Sequence, residues 1–73
     1  MVFKRLDLFI LISLQKTKTF TLKQLSIRLM TDKSVIFKSL KRLTDANLVL
    51  IDNNRPKQYY LNEKAFEKWK SKN

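Results

Sequence analysis

The apolar run from Leu8 to Leu14 constrains the fold of this chain more than any other feature. Its apolar side chains occupy positions around most of a helix, so a helix here must be covered on more than one side. A membrane-spanning helix needs about 20 predominantly apolar residues, and this run lies between Asp7 and Lys16. The sequence therefore predicts a buried first helix over residues 2–16 and no membrane partner.

The chain has 73 residues, which is enough for one small domain over residues 1–73. A core of this size is marginal, and small domains often gain stability from a partner chain. The sequence contains no glycine. Its turns must therefore be made by Asn, Asp, Thr and Ser, which tolerate or stabilise turn conformations through their short polar side chains.

The charge is strongly unbalanced, with 16 Lys and Arg against 6 Asp and Glu and a formal net charge of +10. That balance favours polyanionic partners. The chain has no His and no Cys, so the commonest zinc ligands and catalytic bases are missing and disulfides are impossible. Each of the six acids is interpreted as a cap, a turn residue or a surface charge. We expect a protein that is not an enzyme and needs no metal or cofactor.

Three further helices are predicted from their first residues. Thr21, with Gln24 three residues later, forms a capping-box pattern and begins the second helix. Asp32 is a suitable N-cap for a third helix over residues 33–46, with its carboxylate accepting hydrogen bonds from the first turn. Asn47 follows that helix, where a left-handed residue is common. Asn62 caps a short last helix.

Two β-rich runs, residues 48–51 and 57–61, flank a turn-forming cluster at 52–56 and predict a hairpin. Residues 18–20 are a candidate third strand. The fold class is α+β, mainly α. The order of elements matches a winged helix-turn-helix: a three-helix core, a β-hairpin wing and a short C-terminal helix.

Residues 20–62 closely resemble the winged-helix domains of prokaryotic transcription regulators of the MarR-like and ArsR-like kind. Residues 21–25 resemble the entry into the family's second helix, and 32–43 resemble its recognition helix. Ala46-Asn47-Leu48-Val49 matches the exit usually written Ala-Gly-Leu-Val, and 55–61 resemble the wing and its return strand. The chain departs from the family at Met30, where a turn glycine is frequent, and at Asn47. It also has almost nothing beyond the DNA-binding unit.

The third helix carries the predicted DNA-reading face, opposite the buried stripe of Ile36, Leu40 and Leu43. Phe37 is also interpreted as a boundary residue of the core. Basic and polar residues at the start of the second helix and at the hairpin tip suit phosphate or minor-groove contacts. The predicted DNA-binding residues are Thr21, Lys23, Gln24, Lys33, Ser34, Val35, Phe37, Lys38, Lys41, Arg42, Asn53, Asn54, Arg55 and Lys57.

The excess apolar surface of the first helix predicts a homodimer. Phe66 and Trp69, at i and i+3 of the last helix, are expected to pack on the first helix. They are also candidates for the dimer interface, because Trp and Phe are common anchors of protein interfaces. The predicted interface residues are Leu8, Leu11, Ile12, Phe66 and Trp69.

These features favour a cytoplasmic, sequence-specific double-stranded DNA-binding regulator of a prokaryote, virus or plasmid that acts as a dimeric repressor. The alternatives are a replication, partition or architectural DNA-binding factor, and a winged-helix module that binds an acidic protein. The fold does not decide among them.

Overall fold

Four helices and one antiparallel hairpin make up the computed structural model, which describes residues 3–16, 18–54 and 56–72. The predicted α+β, mainly α class is confirmed. No helix in the described part of the chain is long and apolar enough to cross a bilayer. The elements in chain order are α1 (Arg5–Lys16), α2 (Leu22–Arg28), α3 (Lys33–Asp45), β1 (Val49–Asp52), β2 (Gln58–Leu61) and α4 (Glu63–Lys72).

The core lies where α1, α2, α3 and the hairpin meet, and it follows the predicted stripes. In α3, the residues Ile36, Leu40 and Leu43 are all buried, as their spacing predicts. Helix α1 packs on α3 through a stripe that includes Ile10 and Leu14, both buried. The remaining core side chains come from every other element: Leu11, Phe20, Leu25, Leu48, Val49, Tyr59 and Phe66.

Side-chain caps fix the beginnings of α2 and α4. The Thr21 hydroxyl accepts a hydrogen bond from the amide of Gln24, whose side chain accepts one from the Thr21 amide, which confirms the capping box. At α4, the Asn62 side chain accepts from the amide of Ala65 at 3.3 Å. The predicted cap at Asp32 is wrong in one respect. Asp32 occupies the N-cap position but its carboxylate accepts no hydrogen bond there, so the exposed first turn of α3 is left to water.

Strands β1 and β2 pair in register from Val49 opposite Leu61 to Asp52 opposite Gln58. The predicted third strand at 18–20 is reduced to a single bridge, in which Phe20 and Tyr59 exchange two backbone hydrogen bonds of 3.0 and 2.8 Å. This bridge attaches the hairpin to the residues just before α2, and the hairpin is also joined to the end of α3.

Helix α1 begins at Arg5 instead of residue 2; Val2 lies outside the described residues.

Two residues adopt the left-handed conformation that turns usually assign to glycine. Met30 has φ 51° in the connection between α2 and α3, and Asn47 has φ 63° directly after α3. The prediction for Asn47 is confirmed, and Asn is among the residues that enter this region at low cost. Met30 has no such polar side chain and is 92% exposed, so its conformation is set by the turn and not by packing.

Replacing Met30 with glycine is expected to stabilise the protein by about 0.5 kcal/mol. The gain from relieving a left-handed side chain, roughly 1 kcal/mol, exceeds the entropy that glycine adds to the unfolded chain. The matched control is Ile27→Gly, three residues earlier in α2, which is expected to destabilise by about 0.5–1 kcal/mol. Chemical denaturation of both variants checks the prediction, and equal destabilisation would show that Met30 carries no strain.

Candidate nucleic-acid interface

Helix α3 presents a polar and basic face to solvent because its opposite face is buried against α1, α2 and β1. Every predicted reading residue except Arg42 is exposed on this outward side. From its first residue to Lys41 the helix carries no carboxylate, and Asp45 comes only in the last turn. The exposed residues are Lys33, Ser34, Val35, Phe37, Lys38 and Lys41.

Two apolar side chains belong to this solvent-facing surface. Val35 is 45% exposed and Phe37 is 48% exposed. Phe37 is thus about half covered beside the buried stripe of Ile36 and Leu40, which is compatible with its interpretation as a boundary residue of the core. Apolar surface left in water between lysines is unfavourable unless a partner covers it.

Arg42, one of the predicted DNA-binding residues, is paired within the protein. Its guanidinium forms a bidentate pair with Asp7 of α1: Nε donates to Oδ2 at 3.1 Å and Nη2 donates to Oδ1 at 2.9 Å. The Arg42 side chain is 34% exposed and the Asp7 side chain is fully buried. Two of the guanidinium donors are thus committed to the protein interior, and Arg42 joins α3 to α1.

The buried Asp7 carboxylate accepts hydrogen bonds from two further groups besides Arg42. The hydroxyl of Ser39, itself buried, donates to Oδ1, and the backbone amide of Lys4 donates to Oδ2 at 3.0 Å. The hydrogen bond from the Lys4 amide agrees with a capping role for Asp7. Asp7 is not a surface charge, because its carboxylate is buried, and a buried charge requires a paired partner.

These contacts act on the pKa of both partners. Burial raises the pKa of Asp7, but the hydrogen bonds from Arg42, Ser39 and Lys4 and the positive charge of Arg42 together outweigh it. The pKa of Asp7 therefore lies below its ordinary value of 3.8. The hydrogen bond to Asp7 raises the pKa of Arg42 further above its ordinary range.

A sequence signal for this network was present. Asp7 precedes the buried residues Ile10, Leu11 and Leu14 by three, four and seven positions, which puts it on the same helical stripe. Ser39 and Arg42 are three residues apart in α3, so both can meet one side chain on a neighbouring helix. An acid on an apolar stripe predicts a buried partner.

The second predicted contact group lies at the start of α2. Lys23 is exposed, whereas the side chains of Thr21 and Gln24 are engaged with each other's backbone amides in the capping box. Lys23 is therefore the member of this group with an uncommitted charged end available to an anion.

The hairpin loop carries the third group. Asn53, Asn54 and Lys57 are exposed, and the Asp52 carboxylate accepts from the Asn54 amide at 3.0 Å, which confirms its predicted role in the turn. Arg55 lies outside the described residues. In the strands, Tyr59 is buried and Tyr60 is more exposed, as expected for alternating strand residues, and burial raises the pKa of Tyr59.

The predicted dimer-interface residues divide into two groups. Leu8 and Ile12 are exposed on α1, but Leu11 and Phe66 are buried in the core of the same chain and cannot form a surface for a second copy. Trp69 is partly buried and meets Phe3 edge to face, with ring centroids 5.7 Å apart. The prediction that Phe66 and Trp69 pack within the chain is supported, since Phe66 belongs to the core and Trp69 packs against it. The interface role is wrong for Leu11 and Phe66, because apolar residues on several faces of α1 and α4 do not show which face meets the core.

No cluster of side chains among the described residues has the composition to hold a metal ion.

Replacing Asp7 with asparagine is expected to destabilise the protein by about 2 kcal/mol at neutral pH, because it leaves Arg42 without its carboxylate partner. The contribution of Asp7 is present above its ordinary pKa and is lost as the pH falls through its lower folded-state pKa. The stability difference between the wild type and Asp7→Asn should therefore be constant above about pH 5 and shrink below it. Urea denaturation across pH measures this difference.

The matched control is Glu67→Gln, which removes a carboxylate that is 3.9 Å from Lys70 on the surface of α4. This exposed pair should contribute less than about 0.5 kcal/mol. Equal effects of the two substitutions would contradict the role assigned to Asp7.

The chain matches no protein-family model, and comparisons with curated proteins and with solved structures return no match either.

Proposed function

We propose that this protein is a sequence-specific double-stranded DNA-binding protein of the winged helix-turn-helix type that represses transcription by occupying its site. The observation that carries the proposal is the outward face of α3. It combines four side chains that can contact DNA through charge or hydrogen bonds with two exposed apolar ones, and it is free of carboxylates up to Lys41: Lys33, Ser34, Lys38 and Lys41, with Val35 and Phe37.

The α2–α3 pair has the proportions of a helix-turn-helix, with residues 29–32 as the turn and α3 as the recognition helix. In such motifs the N-terminal part of the second helix is closest to the base edges. Lysine can donate to O6 and N7 of guanine, and serine can bond to more than one base.

The hairpin that follows α3 supplies the proposed wing. Lys57, Asn53 and Asn54 are exposed in its loop, and Arg55 adds a further charge in the sequence. A basic loop at this position can follow the neighbouring phosphate backbone or enter the minor groove. Lys23 at the start of α2 would contact the phosphates on the other side of α3.

Val35 and Phe37 favour base reading over binding that depends on phosphate alone. The methyl group of thymine is an apolar partner in the major groove, and covering it with Val or Phe removes water from both surfaces. Architectural proteins also use apolar side chains, but they insert them as wedges between base steps from the minor groove. Val35 and Phe37 lie instead on the helix proposed to enter the major groove, so we prefer the regulator over that alternative.

Two copies at inverted half-sites would place their recognition helices about 34 Å apart, one turn of DNA. A protein that occupies such a site blocks access to it without needing an additional activating domain. Its place of action is the compartment that holds the DNA, which we propose to be the cytoplasm of a prokaryotic cell, whether the gene is chromosomal, viral or carried on a plasmid.

Reversing two charges on the reading face tests the proposal. The double substitution Lys38→Glu and Lys41→Glu should lower affinity for a mixed-sequence duplex by about 100-fold or more at low salt, because two attractive contacts become repulsive. The dependence of log affinity on log salt should become less steep by about two units. Fluorescence anisotropy with a labelled duplex measures both quantities.

The control is Lys64→Glu with Lys68→Glu on α4, which changes the net charge equally with exposed lysines of another helix. This variant should retain most of the affinity. If the two double variants lose affinity to the same degree, binding depends on overall charge and the assigned face is wrong. Circular dichroism confirms that both variants remain folded.

A further inference from the structure

The outward side of α1 carries an uncovered apolar face formed by Leu8, Phe9 and Ile12. Their side chains are 40%, 48% and 46% exposed. Leu8 and Ile12 are one helical turn apart and Phe9 lies beside them, so the three form one surface. This α1 apolar face points away from the side of α1 that packs on α3.

An open groove of about 530 Å³ adjoins this face between α1 and the end of α2. Phe9 lines it on one side and Met30 on the other, with the half-buried Leu6 and Leu29 between them. The volume is sufficient for apolar side chains inserted from a partner. Met30 is held at the edge of the groove by the left-handed backbone of the α2–α3 turn.

Two arginines and Thr31 complete the lining of the groove. Arg28 is held in place by its own chain, since its guanidinium carbon lies 5.7 Å from the centroid of the Phe20 ring. Arg5 lies in the first turn of α1 and is exposed. No acidic side chain is among the described residues that line this groove. An apolar groove flanked by guanidinium groups is complementary to an apolar ridge flanked by carboxylates.

We propose that the α1 apolar face and its groove bind an amphipathic helix of a partner protein, with an apolar stripe flanked by Asp and Glu. Its large apolar side chains would enter between Phe9 and Met30, and its carboxylates would pair with Arg5 and Arg28. This is the helix-in-groove mode of recognition, read from apolar residues at i, i+3, i+4 and i+7 of the partner.

A second copy of this chain fits the face less well. Arg5 in the first turn of α1 and Lys16 in its last turn lie on the same side of the helix, and both are exposed. In a two-fold pair of antiparallel α1 helices, Arg5 of one copy would approach Lys16 of the other, and a parallel pair would oppose identical charges. Each copy also has a net charge of +10. Like charges at an interface are unfavourable unless acids are placed between them.

An anionic lipid surface is also less complementary. Helices that lie on membranes expose a long apolar face backed by basic residues. Here the apolar face spans little more than one turn of a 12-residue helix.

This inference goes beyond DNA binding and does not depend on it. The groove is lined by residues of α1, α2 and the α2–α3 turn and by no residue of α3.

The test uses a designed peptide of about 18 residues, long enough to form helix on binding, with leucines on one stripe and glutamates beside it. A second peptide with lysine at each glutamate position is the control for charge. Titration followed by amide NMR shifts of the full chain should show binding of the acidic peptide, with the largest shifts in residues 5–12 and 28–31. The basic peptide should not bind.

Two surface variants separate the apolar and charged contributions. Phe9→Ser with Ile12→Ser, and Arg5→Gln with Arg28→Gln, should each weaken peptide binding by about tenfold or more. Lys64→Gln with Lys68→Gln, which removes the same charge from α4, should change it by less than about twofold. Duplex binding by the Phe9 and Ile12 variant should equal that of the wild type.

Several results would overturn the proposal. They are shifts centred on another surface, no binding of the acidic peptide, self-association that buries Phe9 and Ile12, and binding to phosphatidylglycerol vesicles through these residues instead of to the peptide. If the Lys38 and Lys41 variant loses DNA binding but still binds the acidic peptide, the peptide site is separate from the DNA site, as proposed. The proposals for DNA and for the partner helix can thus fail separately.

Discussion

The contact between Asp7 and Arg42 determines how the two central helices meet. Apolar packing can hold α1 against α3 at several rotations, because Leu, Ile and Phe side chains are not directional. A bidentate ion pair with a third hydrogen bond from Ser39 permits far fewer. Asp7 is the only fully buried carboxylate among the described residues. It fixes one side of α3 on α1 and thereby decides which side of α3 remains in water.

Once that rotation is set, the surface divides into two areas of different chemistry. Helix α3 directs Lys33, Lys38 and Lys41 outward, and α1 directs Leu8, Phe9 and Ile12 outward. The first area is complementary to a polyanion with apolar groups in its groove, and the second to an acidic helix. The Asp7–Arg42 pair also removes one arginine from the basic surface, so the proposed interface depends on lysines and on the hairpin loop.

Local patterns predict most of this fold. The capping box at Thr21, the stripe of Ile36, Leu40 and Leu43, the left-handed Asn47 and the presence of the hairpin all depend on neighbouring residues, which the sequence shows directly. Long-range pairing is where prediction fails. Arg42 looks like a surface cation until its partner 35 positions away is known. Leu11 and Phe66 look like interface anchors because periodicity identifies apolar faces without saying which face meets the core. Of the candidate site, the exposure of the α3 face was predictable, and the loss of Arg42 to the interior was not.

Selection of bound duplexes from random DNA at about 150 mM salt would show whether the outward face of α3 reads base sequence. At this salt concentration contacts to phosphate alone are weakened and base reading remains. We expect an enriched motif in two inverted half-sites, with guanines that the lysines can contact and thymines that Val35 or Phe37 can contact. Retained DNA without an enriched motif, or no retained DNA at any salt concentration, would show that α3 does not read base sequence.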